Sequence, residues 1–334
     1  MDRRQFLRNA STTLGAAMVA PSLLKGVAFA AQSTTAHVAF VRTTDRAAGV
    51  ARAIDLLGLP AFHGKDLFLK PNLNSSDKTP GSTHQDTLAA IVRKLKAMGA
   101  GPLTIGDRSG MGNTREVMER KDVFQLGKEL GGKVIVFDEL NSDDWEQVKN
   151  SDSHWQQGFA LPRVVRQAGG IVQTCCLKTH RFGGHFTLSL KNSVGLAAKY
   201  VPGNSYNFMR ELHSSPNQRR MIAEINAAYH PDLIVLDGVE AFTNGGPEQG
   251  KLVQSNVILA STDRVAIDAV GVALLRHFGT TPEVTQGAIF DQEQIARAVQ
   301  LKIGVSSARQ IELVTGDRGS AEFAKQIRAV LDAN

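Results

Sequence analysis

Cysteine is nearly absent from this sequence. Its 334 residues contain only Cys175 and Cys176, which are neighbours in the chain. Adjacent cysteines do not build the disulfide framework of a small secreted domain. Two thiols also cannot supply the four ligands that a usual iron–sulfur cluster takes, so we expect no such cluster. The sequence favours two small buried side chains over a nucleophile or a thiolate ligand.

Long apolar runs and clustered basic residues are missing as well. After residue 30, no segment has the roughly 18 consecutive apolar residues of a membrane helix. The formal net charge is +6, and the first 30 residues hold four basic residues and one acidic residue, which leaves +6 − 3 = +3 for the rest. Because that balance is mild and no Lys/Arg run occurs, we expect no nucleic acid as a partner.

Two catalytic or cofactor motifs are absent. There is no nucleophile elbow of the G-x-S-x-G type and no complete dinucleotide fingerprint. The segment Ser109–Thr114 comes near the fingerprint, but Arg115 stands where its last glycine would be. It follows a predicted strand and opens a predicted helix, where backbone amides bind anions. Gly110 and Gly112 are therefore candidate ligand-binding residues, and an ordinary tight turn is the alternative.

The N-terminus resembles an export signal. The segment Arg3–Leu7, RRQFL, is similar to the twin-arginine pattern, and an apolar stretch and a small-x-small sequence ending at Ala30 follow. We expect a signal peptide over residues 1–30, the twin-arginine export machinery as a partner, and a periplasmic or secreted protein without a stable membrane anchor after cleavage. An amphipathic N-terminal helix is the alternative. Because that route carries folded proteins, a cofactor bound before export is a further hypothesis.

The remaining sequence alternates short apolar runs with amphipathic stretches. Residues 66–70 and 232–236 are typical of buried strands, whereas residues 86–98 have apolar side chains at helical spacing. This alternation predicts one α/β domain over residues 31–334, with a mainly parallel sheet covered by helices on both faces. The polar segment near 141–160 is expected to be an irregular excursion.

Charged side chains stand at the ends of four predicted strands. They are Lys70, Asp107, Lys178 and Asp237. Such positions gather along one rim of a parallel sheet, where α/β proteins bind ligands, so we expect a shared cleft. Lysines held there can clamp a carboxylate or phosphate, although a solvated lysine is the alternative. The candidate residues for binding this small anionic ligand are Lys70, Asn72, Asp107, Gly110, Gly112, Lys191 and Asn192.

The loop after Lys178 carries two histidines, His180 and His185, on either side of two glycines. Neutral imidazoles are common metal ligands, and Asp237 can add a carboxylate. His180, His185 and Asp237 are therefore candidate ligands of a divalent metal. A role in a site without metal and a solvated loop are the alternatives. For proton transfer the candidate catalytic residues are Lys178, His180 and Asp237.

Several short motifs in a fixed order resemble one known family. They are Lys70–Leu73 (KPNL), Gly106-Asp107, Leu177–His180 (LKTH), Leu190–Asn192 (LKN), Asp237-Gly238 and Ala260–Ala269. Together they are similar to the domain of unknown function 362 family over roughly residues 65–275. The resemblance implies an α/β fold and leaves the reaction open. Some members carry a ferredoxin-like cysteine module, which this chain lacks, so an electron-transfer role does not carry over.

These residues favour an enzyme that acts on a small anionic molecule at a Lys/His/Asp cleft, with metal assistance as an open question. Clustered titratable groups of both signs are more typical of an enzyme than of a pure binder. The alternative is a periplasmic solute-binding protein without turnover. A cofactor or assembly factor is a third hypothesis, suggested only by export in the folded state.

Overall fold

The computed structural model describes residues 35–333, so the predicted signal peptide lies outside the described residues. The strands, in chain order, are β1 (Ala36–Arg42), β2 (Leu67–Lys70), β3 (Leu103–Asp107), β4 (Lys133–Val136), β5 (Trp145–Val148), β6 (Phe159–Pro162), β7 (Gly170–His180), β8 (His185–Thr187), β9 (Leu233–Gly245), β10 (Gly250–Ser261) and β11 (Ile311–Val314). The helices are α1 (Arg46–Leu56), α2 (Gln85–Ala97), α3 (Thr114–Arg120), α4 (Val123–Glu129), α5 (Arg163–Gln167), α6 (Ser189–Asn192), α7 (Phe208–Ser214), α8 (Gln218–Ile225), α9 (Arg264–His277), α10 (Pro282–Thr285), α11 (Glu293–Gln300) and α12 (Arg318–Asp332).

One large sheet organises these elements, in the order β11-β1-β10-β9-β7-β2-β3-β4, with β8 paired to β7. The strands β9, β7, β2, β3 and β4 are parallel neighbours, and β1 is parallel to β11. The long strand β10 runs antiparallel to both β1 and β9. Only residues 246–249 connect β9 to β10, and so short a connection joins antiparallel strands. The predicted mainly parallel sheet is confirmed.

Helices cover both faces of this sheet, as the sequence predicts. Successive residues of a strand point to opposite faces, so Val235 and Leu236 of β9 belong to two different apolar clusters. The first cluster contains residues of α9, α11 and α12, and the second contains residues of α1 and α2. A third cluster joins α7 and α8 to the sheet through Phe68 and Ile171.

The segment near 141–160 is more regular than the sequence suggests. Strands β5 and β6 form a separate two-stranded antiparallel sheet there. Trp145, Trp155 and Phe159 are buried in the third apolar cluster, and the indole nitrogen of Trp155 donates to the carbonyl oxygen of Met221 at 3.1 Å. Its aromatic side chains therefore anchor this otherwise polar segment to α8.

Helix ends follow ordinary capping chemistry. Asp45 precedes α1 and accepts a hydrogen bond from the amide of Ala48, and Asp263 accepts from the amides of Val265 and Ala266 at the start of α9. Within residues 35–333, no helix is long and apolar enough to cross a membrane.

Candidate functional site

The carboxyl ends of β2, β3 and β7 meet α6 around a small cavity. Its volume is about 50 Å³, which is room for a few water-sized groups. The predicted residues that line it are Lys70, Asn72, Asp107, Gly110, Lys178, His180, Lys191 and Asn192. Asn74, Arg108 and Thr187 line it too, although the sequence reasoning did not name them. We call this space the inner cavity.

A buried acidic side chain holds α6 in place. Asp268 of α9 accepts hydrogen bonds from the backbone amides of Ser189 (2.7 Å) and Leu190 (3.0 Å). Burial raises the pKa of Asp268 to about 8, and the two amide hydrogen bonds oppose that shift. Because α6 is so short, these contacts at its first turn fix the direction in which Lys191 and Asn192 leave the backbone.

Lys70 and Asp107 form the floor of the inner cavity. The Lys70 ammonium lies 2.8 Å from the Asp107 carboxylate, and it also donates to the carbonyl oxygen of Pro71 (2.6 Å) and to Asn192 Oδ1 (3.1 Å). Asp107 also accepts from the amides of Leu73 and Arg108. Burial lowers the pKa of Lys70, and the ion pair with Asp107 opposes that change. Both charged groups therefore have their ion-pair and hydrogen-bond partners within the protein.

Lys178 lies on β7 and is fully buried. Its ammonium donates to the carbonyl oxygen of Gly81 at 2.5 Å and to Asn72 Oδ1 at 3.3 Å. These neutral acceptors hold the ammonium in position without neutralising its charge. Burial lowers the pKa of Lys178.

Arg108 is a further buried cation that the sequence reasoning missed. Its guanidinium donates to the carbonyl oxygens of Ala197 (2.9 Å), Ser109 (3.0 Å) and Val194 (2.9 Å). Burial lowers its pKa, while Asp138 and Asp107 act in the opposite direction. The available signal was its position directly after Asp107, since a charged residue at the next position of a strand end reaches the same rim.

Lys191 differs from the other three cations because no described residue forms a hydrogen bond or an ion pair with its ammonium. The residue is only 8% exposed. Burial, and after it the positive charges of Lys178 and Arg108, lower the pKa of Lys191 to about 7. Its charged form is therefore disfavoured unless an anion enters the cavity.

Uncharged polar groups of the cavity wall also lack partners. Thr187 Oγ1, Asn74 Nδ2 and His180 Nδ1 are buried without a hydrogen bond. Burial, and then the charges of Lys191 and Lys178, lower the pKa of His180 well below its usual value, so its imidazole is neutral at pH 7. Buried polar atoms without partners are rare in proteins, and a bound polar ligand is one way to satisfy them.

The structure does not bring Asp237 to the inner cavity. Asp237 Oδ2 lies 2.9 Å from Arg46 Nε and accepts a 2.6 Å hydrogen bond from Thr87, while Oδ1 accepts from the amide of Val239. Its neighbour on β10, Ile258, packs in the apolar cluster of α1 and α2. Asp237 therefore faces those helices and is engaged by them.

The predicted metal ligands are not gathered either. His180 and His185 face each other across β7 and β8, but His185 is half-buried beside a neighbouring cavity. Asp237 is bonded to Arg46 instead. Nowhere in residues 35–333 do three or more His, Cys, Asp or Glu side chains form a group that could hold a metal ion. The grouping of His180, His185 and Asp237 as one ligand set is thus corrected.

The two glycines of the loop Ser109–Thr114 differ in position. Gly110 lines the inner cavity, and a Cβ atom there would lie 2.4 Å from Asn74 Oδ1. Gly112 has a φ of +98°, which glycine adopts readily, and Asn113 then caps α3. Only Gly110 of this predicted pair therefore reaches the cavity.

Both cysteines are free and fully buried. Cys175 belongs to the apolar cluster of α9, while Cys176 pairs across the sheet with Asp237. Burial raises the pKa of Cys176 to about 11, so its thiol is protonated at neutral pH.

The charge balance indicates what the inner cavity can hold. Its lining contains four basic side chains, those of Lys70, Arg108, Lys178 and Lys191, and one carboxylate, that of Asp107. With all of them ionised, the sum is 4 − 1 = +3. Such an excess at a buried site favours an anion, and the ammonium of Lys191 is the group free to contact it.

A family model identifies the family of this chain. The family model described as "Domain of unknown function (DUF362)" matches residues 67–273. A curated relative named "Thylakoid-associated protein sll1697", from Synechocystis sp., is 26% identical over 218 residues, which cover 64% of each chain. The structure of the lactate racemase apoprotein from Thermoanaerobacterium thermosaccharolyticum covers 88% of this chain and 86% of its own, at a TM-score of 0.42 and 14% identity.

Proposed function

The chain belongs to the DUF362 family, and on that premise we propose that it is an enzyme that binds a small carboxylate or phosphate and transfers a proton on it. The observation that carries the proposal is the unpartnered side-chain amine of Lys191 in a cavity lined by three more basic than acidic side chains. Burying an ammonium without a partner is costly, and an anion that enters the cavity offsets that cost.

Each polar group of the cavity has a part in binding. Lys178 and Arg108 are held by carbonyl acceptors, so their positive charges are preorganised for the ligand. Lys191 contacts the anion directly, and Thr187 and Asn74 offer hydrogen bonds that the protein leaves unused. A volume of about 50 Å³ suits a carboxylate or phosphate group and little more.

The proton-transfer part rests on Lys191 and His180. Without an anion the pKa of Lys191 is about 7, and a bound anion raises it, so Lys191 is protonated in the complex and can act as the general acid. His180 is neutral and keeps an unpartnered ring nitrogen, so it can accept a proton without first losing one. The candidate catalytic residues from the sequence were Lys178, His180 and Asp237. We assign Lys178 the role of a fixed charge and Lys191 that of the acid, while Asp237 lies outside the inner cavity.

Binding can be tested by calorimetric titration with phosphate and with propionate near pH 7. We expect the wild-type protein to bind at least one of them, and Lys191→Met to weaken that affinity by about tenfold or more, as for a charged partner of a buried anion. Lys251→Met is the matched control, since Lys251 is exposed on β10. Equal affinities for the wild type and Lys191→Met would falsify the proposal.

A solute-binding protein without turnover is the second candidate. It is favoured by the way the protein itself holds Lys70, Lys178 and Arg108, since such a receptor needs no movement to bind an anion. Transfer of the protein and a bound carboxylic acid into D₂O separates the two functions. An enzyme of the proposed kind exchanges hydrogen next to the carboxylate, which proton NMR detects, and His180→Ala stops that exchange. A binder retains its ligand without exchange.

We also propose that the protein is exported by the twin-arginine route to the periplasm or beyond. The support is the sequence of residues 3–7 and the cleavage pattern that ends at Ala30. Replacement of Arg3 and Arg4 by lysine is expected to leave uncleaved precursor inside the cell. Mature protein outside the cell with an N-terminus near residue 31, in spite of that change, contradicts the route.

A further inference from the structure

A second cavity adjoins the inner cavity. Its volume is about 320 Å³, against about 50 Å³ for the inner one. His180 contributes to the walls of both, and the loop between β7 and β8 forms one side of the second through Arg181 and Gly183. The inner cavity can hold an anionic group alone, so the rest of any larger ligand must occupy other space. We call the second space the outer cavity.

The outer cavity lacks the excess of basic side chains that the inner one has. Arg181 is paired with Glu248 and also donates to the carbonyl oxygen of Gly246 at 2.8 Å. Glu283 also lines this cavity; its carboxylate is hydrogen-bonded to Thr281 and to its own backbone, and within the described chain it forms no ion pair. Arg219, whose charge acts on His185, is already engaged by Glu293 and donates to the carbonyl oxygen of Gly183.

His185 does not change this balance. It lines the outer cavity near Glu283, and burial, followed by the charge of Arg219, lowers its pKa, so its imidazole is neutral at pH 7. The unpaired charge of the outer cavity is therefore the carboxylate of Glu283. A ligand that spans both cavities meets positive charge at one end and negative charge at the other.

We propose that the ligand is a dipolar molecule, with its carboxylate or phosphate in the inner cavity and an amine held by Glu283 in the outer cavity, past the ring of His180. This inference rests on the proposed function, because it assumes that the inner cavity binds the anionic group. It narrows the substrate class from small anions to amino-substituted small anions.

Matched pairs of ligands test the inference. Calorimetry compares four unsubstituted acids (acetate, propionate, butyrate and pentanoate) with their amino counterparts (glycine, β-alanine, 4-aminobutyrate and 5-aminopentanoate). The corresponding phosphonates show whether the inner cavity prefers a carboxylate or a phosphate-like group. At the chain length that reaches Glu283, we expect the amine to raise the affinity about threefold, as for a solvent-accessible ion pair. Glu283→Gln is expected to remove that gain and to leave the affinity for the unsubstituted acids unchanged.

Glu322→Gln is the control, since Glu322 is an exposed glutamate of α12. It should retain the gain from the amine. If the acids bind through Lys191 but no amine raises the affinity, or if the gain persists in Glu283→Gln, the inference is wrong and the proposed function stands. If no acid of either series binds, both fail together.

Discussion

Two buried charge clusters lie at the carboxyl rim of the same sheet and differ in how their charges are balanced. In the first, Arg46 bonds to Asp237 and to Glu240, each at 2.9 Å, and Thr87 completes the set. In the second, the inner cavity, four cations face one carboxylate and Lys191 has no partner. In the first cluster every charged side chain has a partner within the protein, whereas Lys191 in the second needs an anion from outside the chain.

The difference separates a stabilising role from a binding role. Removal of one member of a satisfied buried pair costs several kcal/mol, so the Asp237 cluster is expected to contribute to stability. An unpaired buried cation lowers stability, and proteins retain such groups where function requires them. A buried charged residue at a sheet rim is therefore a site residue when its partners are missing. The four predictions below test this distinction, in decreasing order of effect.

The largest effect concerns the pH dependence of stability. The pKa of Lys191 is about 7 in the folded protein, against the ordinary 10.5. Between these values the unfolded chain binds a proton that the folded chain does not, so stability rises with pH. Relative to Lys191→Met, the wild type should gain up to about 1.4 kcal/mol per pH unit, or about 4 kcal/mol from pH 7 to 10. Urea unfolding over that range measures the difference.

Lys251→Met is again the control for that series, and its difference from the wild type should not vary with pH. Below pH 7 the Lys191→Met difference should also become constant, because both states then carry the proton. A difference that stays flat from pH 7 to 10 means that the Lys191 ammonium has a partner after all.

The second effect concerns Asp237. Asp237→Asn removes the carboxylate that Arg46 and Thr87 contact, so we expect a loss of about 3 kcal/mol in the free energy of unfolding. The affinity for phosphate should change by less than about twofold, since Asp237 lies outside the inner cavity. Urea unfolding and calorimetry provide the two measurements.

Glu240→Gln is the companion variant for Asp237→Asn. Its side chain is 25% exposed, so the loss should be about 1 kcal/mol or less. If Asp237→Asn instead keeps its stability and loses anion binding, Asp237 belongs to the site as the sequence predicts.

The third effect links α6 to the inner cavity. Asp268→Asn replaces one of the two oxygens that accept from the first turn of α6 with an amide nitrogen, which cannot accept. A buried backbone donor is then left without a partner, which costs about 2 kcal/mol. Because α6 carries Lys191, the affinity for phosphate should fall as well. Asp332→Asn, at an exposed position of α12, should change neither. A loss of stability without any loss of affinity contradicts the positioning role.

The smallest effect concerns the cysteine beside Asp237. Burial raises the pKa of Cys176 to about 11, so little thiolate exists at pH 8. Iodoacetamide should label the native protein far more slowly than the urea-unfolded chain, as mass spectrometry can show. Since both thiols are free, a reductant should shift the melting temperature by less than about 1 °C. Rapid labelling of native Cys176 indicates that solvent reaches the Asp237 cluster.

The sequence allowed the rim to be predicted but not the direction of each side chain. Lys70, Asp107 and Lys178 could be placed together because each follows an apolar run that reads as a parallel strand, and all three line the inner cavity. Asp237 occupies an equivalent position on its strand. Its direction depends on the alternation along β9 and on Arg46, which is 191 positions away. No local pattern carries that information.

Other features depend on contacts between distant segments. Lys191 lacks a partner because none of the described segments packed around α6 supplies an acceptor for its ammonium. In the sequence it cannot be told from any other lysine in a short helix. The antiparallel direction, length and central position of β10 depend on its pairing with both β1 and β9, which no local sequence pattern shows. Trp145 and Trp155 are buried in one apolar cluster with residues of α7 and α8, which come more than fifty residues later in the chain.

The position of β1 inside the sheet has a consequence for how the protein is made. β1 pairs with β10 and β11, and the amide of Arg42 donates to Ser320 Oγ, 278 positions later. A ribosome adds about 5–20 residues per second, so tens of seconds separate the synthesis of β1 from that of its partners. During that interval Phe40 and Val41 have no sheet to join, and the strand is exposed to aggregation. The sheet closes only after translation has reached its last strand, and such non-local pairing makes folding slow.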